Sequence, residues 1–217
     1  MLQTLERTTT YETRMLTPAD LEALQALCGQ QGLPLLPPHG LGPALYNGQL
    51  LGDLTQSGEL RAALALLPLY SDAVLPASLR AAGYGADGQG AVLTPPLCAG
   101  HYPRMRQFLS AALRLAATRY ASYHVWAVQP LDAEALPACE DLCAQYLSAG
   151  LTLRAVRPMA ETQMMVFSAR GLPHWREPRR RVHLNDPALP RLLEHGYAVG
   201  DFGWGPGGME LLLRDAQ

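Results

Sequence analysis

Residues Tyr123–Leu151, YHVWAVQPLDAEALPACEDLCAQYLSAGL, decide how the chain folds. Tyr123 to Val128 is a nearly unbroken apolar run, the composition of a central strand covered on both faces. Beyond it Leu136, Cys139, Leu142, Cys143, Tyr146 and Leu147 recur at helical spacing, which predicts an amphipathic helix stopped by Gly150. Strands are expected next at Leu151 to Val156 and Thr162 to Phe167.

Upstream the same grammar repeats. From Pro103 to Tyr120, Met105, Phe108, Leu109, Ala112, Leu113 and Ala116 form one apolar stripe, with Arg106, Ser110 and Arg114 opposite. Ala91 to Leu97 reads as a strand interrupted late by Pro95 and Pro96, which cannot donate to a ladder, so this strand leaves its neighbour there. Leu50 to Thr55 and Leu60 to Leu67 are antiparallel strands around the turn Gln56-Ser57-Gly58-Glu59. A first strand, Tyr11 to Leu16, runs into Thr17-Pro18-Ala19-Asp20, a capping-box layout with Pro at the first helical position. The helix that follows carries Leu21, Leu24, Leu27 and Cys28, and Gly29 is its expected terminator. Gln31 to Pro43 and Pro68 to Gln89 read as loops, the first leading to a short helix around Leu45.

Downstream, residues 169–217 form a C-terminal extension to the 1–168 domain, packed on the same sheet or at an interface. Val182 to Leu184 is strand-like, Asp186-Pro187 opens a short helix through Leu192 and Leu193 that Gly196 ends, and Met209 to Leu213 is a final strand. Gly203 to Gly208 reads as a turn, and the extension as a β-α-β appendage. Gly150-Leu151 and Gly196-Tyr197 share one helix-to-strand chemistry.

Composition limits the function. With 48% hydrophobic and 17% charged residues the chain folds rather than staying disordered. Cys28, Cys98, Cys139 and Cys143 do not have the spacing of a zinc ribbon or finger and read as reduced core thiols, so no metal is expected. No apolar window is long enough to span a membrane and no secretory leader stands near Met1, so a cytoplasmic protein with no membrane partner is expected. All 17 basic residues are Arg, and the formal net charge of −2 gives no long-range attraction to nucleic acid, which is not expected as a partner. The run Arg176 to Arg181 reads as a solvated connector.

The order strand, helix, hairpin, diverging strand, loop, helix, strand, helix, strand, strand resembles that of the GNAT N-acyltransferase superfamily over residues 10 to 168. The residues that carry the likeness are Tyr11-Glu-Thr-Arg-Met-Leu-Thr-Pro-Ala-Asp-Leu21 and Tyr146-Leu-Ser-Ala-Gly150-Leu151. The resemblance implies a mixed α/β sheet of the acyl-coenzyme A N-acyltransferase type. It implies acetyl-coenzyme A or another acyl-coenzyme A as cosubstrate, and a small-molecule or peptide amine as acceptor. A homodimer is compatible with it. In the family a Tyr four residues before the helix-ending glycine can protonate the departing thiolate, which makes Tyr146 the candidate catalytic residue. On its helical face with Leu142 and Cys139 it reads equally as a core tyrosine.

The family's pyrophosphate loop is glycine-rich, and here the corresponding segment is Cys98-Ala-Gly-His-Tyr-Pro-Arg-Met-Arg-Gln-Phe108, in which only Gly100 remains of the expected glycines. The resemblance places cofactor contacts at Leu97, Cys98, Gly100, His101, Tyr102, Arg104 and Arg106, with the two arginines supplying charge beside the helix N-terminus. His124, Glu161 and Asp53 are titratable residues near strand ends, and none is assigned as a base. Two functions stand: an acyl-coenzyme A dependent N-acyltransferase, or a catalytically inactive binding or interaction module with the same fold.

Overall fold

The structure is a computed structural model that describes residues 10–30, 41–68, 90–98, 100, 102–119, 125–159, 162–169 and 180–215. Its chain divides into two compact units, Met1–Ala65 with Pro96–Tyr102, and Leu66–Pro95 with Pro103–Gln217. Strand β3 (Leu60–Pro68) contributes residues to both.

In the first unit β1 (Tyr11–Met15), β2 (Leu50–Thr55), β3 and the two-residue β5 (Leu97–Cys98) form an antiparallel sheet. Gly58, at φ 83°, turns the β2–β3 hairpin where an L side chain would be strained. The expected capping box is formed, with Asp20 accepting the Thr17 N–H at 2.8 Å. The same carboxylate takes two bonds from Arg14, at 2.9 and 2.7 Å, so the end of β1 is tied to the short 3-10 turn Pro18–Asp20. Helix α1 (Leu21–Gln30) buries Leu24, Leu27 and Cys28; it runs through Gly29, the expected terminator, to Gln30. Helix α2 (Leu41–Tyr46) realises the short helix expected around Leu45. Gly52 on β2 has no room for a side chain, since a Cβ there would lie 2.5 Å from Leu16 Cδ2 and 2.8 Å from Leu60 Cδ1.

In the second unit the strand order is the end of β3, then β4 (Ala91–Leu93), β6 (Val125–Leu131), β8 (Thr162–Ser168), β7 (Thr152–Met159), β10 (Tyr197–Gly205), β11 (Gly208–Asp215) and β9 (Arg180–His183). β6 is central, as the apolar run predicts: it pairs parallel with β4 and antiparallel with β8. Tyr123 and His124, the start of the predicted strand, lie outside the described residues. The predicted strand Ala91 to Leu97 is two strands, because Thr94-Pro95-Pro96 breaks it earlier than the prolines alone required. Helix α3 (Met105–Arg119) lies between β5 and β6 in the chain and buries Met105, Phe108, Leu109, Ala112 and Ala116. Val92, Val128, Ala155, Met164 and Val166 form a separate core cluster, with Trp126 packed against it.

Helix α4 (Leu136–Ser148) ends in a Schellman arrangement at Gly150-Leu151. Leu151 N–H bonds the Tyr146 carbonyl at 3.1 Å, Gly150 N–H bonds the Leu147 carbonyl at 3.0 Å, and Gly150 takes φ 99°. The buried face of α4 includes Glu140 and Ala144, which the apolar stripe did not. The reason lies in the extension: the β10–β11 hairpin packs against this helix, and Glu140 accepts Met209 N–H at 3.2 Å.

The extension contains one strand more than a β-α-β unit. After β9 and helix α5 (Leu189–Glu194), β10 pairs with β11 from Tyr197↔Asp215 to Gly205↔Gly208 and meets β7 at Val199↔Leu153. Three glycines, Gly200, Gly203 and Gly205, gave this segment a loop-like composition, and cross-strand pairing overrides it. The expected turn shrinks to the residues between Gly205 and Gly208. No described helix is long and apolar enough to cross a membrane.

Candidate active site

In the second unit the parallel ladder between β4 and β6 is three pairs long and ends at Leu93↔Ala127. β4 departs at Thr94-Pro95-Pro96, where two residues without N–H cannot extend a ladder. β6 continues to Leu131, bonded to β8 on its other side. Gln129, the second residue past the end of the ladder, is 1% exposed, and its Nε2 donates to the Tyr146 hydroxyl at 2.6 Å.

Tyr146 itself is wholly buried. Its ring stacks on Phe167 of β8, with centroids 5.0 Å apart and planes 20° from parallel. Three elements therefore place this phenol: the cap of α4 fixes its backbone, Phe167 its ring and Gln129 its oxygen. Also in this unit, α3 begins just after Arg104, whose carbonyl accepts the Phe108 N–H at 2.9 Å. Arg104 is half-buried and Arg106 exposed, so the two cations flank the helix end whose leading amides carry partial positive charge.

The first unit holds the other expected contact residues. Leu97 and Cys98 are half-buried on β5, paired with Ala63 and Ala62 of β3. Burial pushes the Cys98 thiol up to about 12, which favours the neutral thiol over the thiolate. Gly100 is exposed at φ 61°, a left-handed conformation that suits glycine. Tyr102 is buried, and its hydroxyl donates to the fully buried carboxylate of Asp53 on β2. Thr13 of β1 donates to the other Asp53 oxygen at 2.5 Å, and the Tyr11 ring meets Tyr102 edge-on at 6.5 Å. A carboxylate this deep needs such donors, and they tie β1, β2 and the Pro96–Tyr102 segment together.

His101 and Glu161 lie outside the described residues, as do Arg176 and Arg179 of the Arg run. Arg180 and Arg181 of that run sit on β9, the first over the Tyr197 ring at 5.8 Å and the second 3.6 Å from Glu210. Among the described residues no three His, Cys, Asp or Glu side chains gather as a metal site.

Sequence reasoning did not single out Gln129. The available signal was one amide following the apolar run Val125 to Val128, a position where burial demands a partner. Thr13 as the companion of Asp53 had no signal, because their pairing follows only from β1–β2 register.

Among solved structures, the fold matches that of a GNAT-family acetyltransferase from Bacillus cereus ATCC 10987, with TM-score 0.53 and 8% identity over 76% of this chain and 99% of that one. It also matches a GNAT-family acetyltransferase from Listeria monocytogenes 4b F2365, with TM-score 0.50 and 12% identity over 73% and 94% of the two chains. The chain has the GNAT superfamily fold, a mixed α/β sheet in the arrangement of these acetyltransferases. No protein-family model matches it, and no curated protein matches it in sequence.

Proposed function

We propose that the chain is an acyl-coenzyme A dependent N-acyltransferase. The observation that carries this reading is the parting of β4 from β6 after Leu93↔Ala127, with the Tyr146 hydroxyl bonded to Gln129 just past it. A strand edge released from its neighbour offers backbone groups to an extended amide-bearing chain, which is the chemistry of pantetheine. The residues present fit the rest of such a molecule: the leading amides of α3 with Arg104 and Arg106 are suited to a pyrophosphate. Acyl-coenzyme A, when bound, supplies an acyl thioester. Tyr146, a buried phenol, holds a proton at Oη for the departing sulfur.

The test is calorimetric titration of coenzyme A and acetyl-coenzyme A into the parent protein and into Arg104→Gln/Arg106→Gln. The reading expects binding by the parent, and weaker binding with a flatter salt dependence in the variant. Equal affinities would remove the arginines from the site.

A non-catalytic module with the same fold is favoured by a different observation. Tyr102, in the segment where the family carries glycines, turns its hydroxyl inward to Asp53. That module expects no binding by the parent at high ligand concentration and no thermal stabilisation by either ligand.

A further inference from the structure

We propose that Gln129 is the positioning residue for Tyr146, holding the phenol oxygen as a hydrogen-bond acceptor and meeting the negative charge left there when its proton departs. Its use in acyl transfer rests on the transferase reading above.

A primary amide is a poor choice for filling space in the middle of a central strand. Gln129 is 1% exposed, and a buried amide is costly unless it is bonded. Its neighbour Val128 packs into the apolar cluster with Val92 and Val166. Strand alternation carries Gln129 to the other face, where Nε2 reaches the Tyr146 oxygen at 2.6 Å. An oxygen that accepts from an amide cannot aim its own proton at that amide. The O–H must therefore point elsewhere, while Phe167 stacking prevents the ring from swinging out of line.

The electrostatic consequence follows from the same bond. An N–H donor bonds an anionic oxygen more strongly than a neutral one, so Gln129 favours tyrosinate over tyrosine. During transfer the C–N bond forms and the C–S bond breaks. The Oη–H bond of Tyr146 breaks as S–H forms, and the acylated nitrogen releases its proton to water, from which the tyrosinate is reprotonated. No oxidant or further reactant enters, and Gln129 covers the charge between the two proton transfers.

The experiment places 3,5-difluorotyrosine at position 146, so that this phenol titrates apart from the other tyrosines. It is followed by absorbance in the parent, in Gln129→Met and in Gln129→Glu. Met has nearly the same volume without a donor, and Glu puts a carboxylate where the donor was. The half-titration point should rise by about one pH unit in Gln129→Met, a tenfold loss of acidity, and further in Gln129→Glu. Near-ultraviolet circular dichroism identifies the folded variants, and either one alone carries the test. An unmoved titration in a folded variant overturns the proposal.

With the natural tyrosine, Gln129→Met should lower kcat about tenfold at unchanged KM for acetyl-coenzyme A. The deficit should shrink with an acetyl thioester of a more acidic thiol, which leaves without a proton. A structural role would move neither the titration nor this leaving-group dependence. A titration shifted in the variants, with a parent that transfers no acyl group, upholds the Gln129 contact and defeats the transferase reading. Transfer by the parent with an unmoved titration does the reverse.

Discussion

The Tyr102–Asp53 bond provides a sharp test of how the first unit is held together. Asp53 has no exposed surface, and its two oxygens receive the hydroxyls of Thr13 and Tyr102. Tyr102→Phe removes one donor while keeping the ring that meets Tyr11 edge-on. A hydrogen bond to a charged group contributes about 1.5–3 kcal/mol, and here the partner left behind is a carboxylate that water does not reach. We expect a loss of about 2 kcal/mol, which for a chain of this size lowers Tm by roughly 4–8 °C. Differential scanning calorimetry on parent and variant measures it. Asp53→Asn and the double variant complete the cycle, and the double variant should be more stable than the sum of the single losses implies, because the two groups share one bond. A Tyr102→Phe protein melting within about 1 °C of the parent would refute the reasoning, since the hydroxyl would then contribute nothing beyond what water offers.

Other expectations can be checked separately. The Arg14 guanidinium holds the Asp20 carboxyl well below the usual carboxylate range, helped by Thr17 and opposed by burial. A depressed folded value means stability that is present above the unfolded value, near 4, and lost as pH falls toward the folded one. Acid unfolding followed by circular dichroism should therefore be steeper below about pH 4 in the parent than in Arg14→Gln. Gly52→Ala drives a methyl into Leu16 and Leu60 and should cost about 1–3 kcal/mol in urea unfolding. On the transferase reading, Tyr146→Phe lowers turnover and leaves coenzyme A affinity nearly unchanged, because the ring still stacks on Phe167; steady-state kinetics beside titration calorimetry separates the two.

The parts of the fold legible in the sequence are those set by local periodicity. The run ending at Val128 announced a central strand, the stripe from Met105 to Ala116 a helix, and Gly150 the end of another. β10 was not legible, because Gly200, Gly203 and Gly205 dilute its pattern and only pairing with β11 makes it a strand. Glu140 falls outside the apolar stripe of its helix, and its burial depends on a hairpin far along the chain. At the candidate site, Tyr146 was singled out by the resemblance, four residues before Gly150; its residue pattern alone read equally as a core tyrosine. Its partner Gln129 and the Asp53 donors come from strand register and sheet face, which connect residues that the sequence does not mark as neighbours.

The Glu140 contact also constrains how this chain can diverge. Gly208 sits at φ 111°, and a Cβ there would come within 2.8 Å of Glu140 Oε1, while the next amide, Met209 N–H, is the one that carboxylate accepts. A side chain at 208 would have to displace the acid, and a shorter acid at 140 would release the amide. Positions 140 and 208, far apart in the chain, are thus coupled through this contact. In any set of related chains, glutamate at 140 and glycine at 208 should be inherited as a pair, and their joint presence would mark the lineages that carry this hairpin against the helix bearing Tyr146.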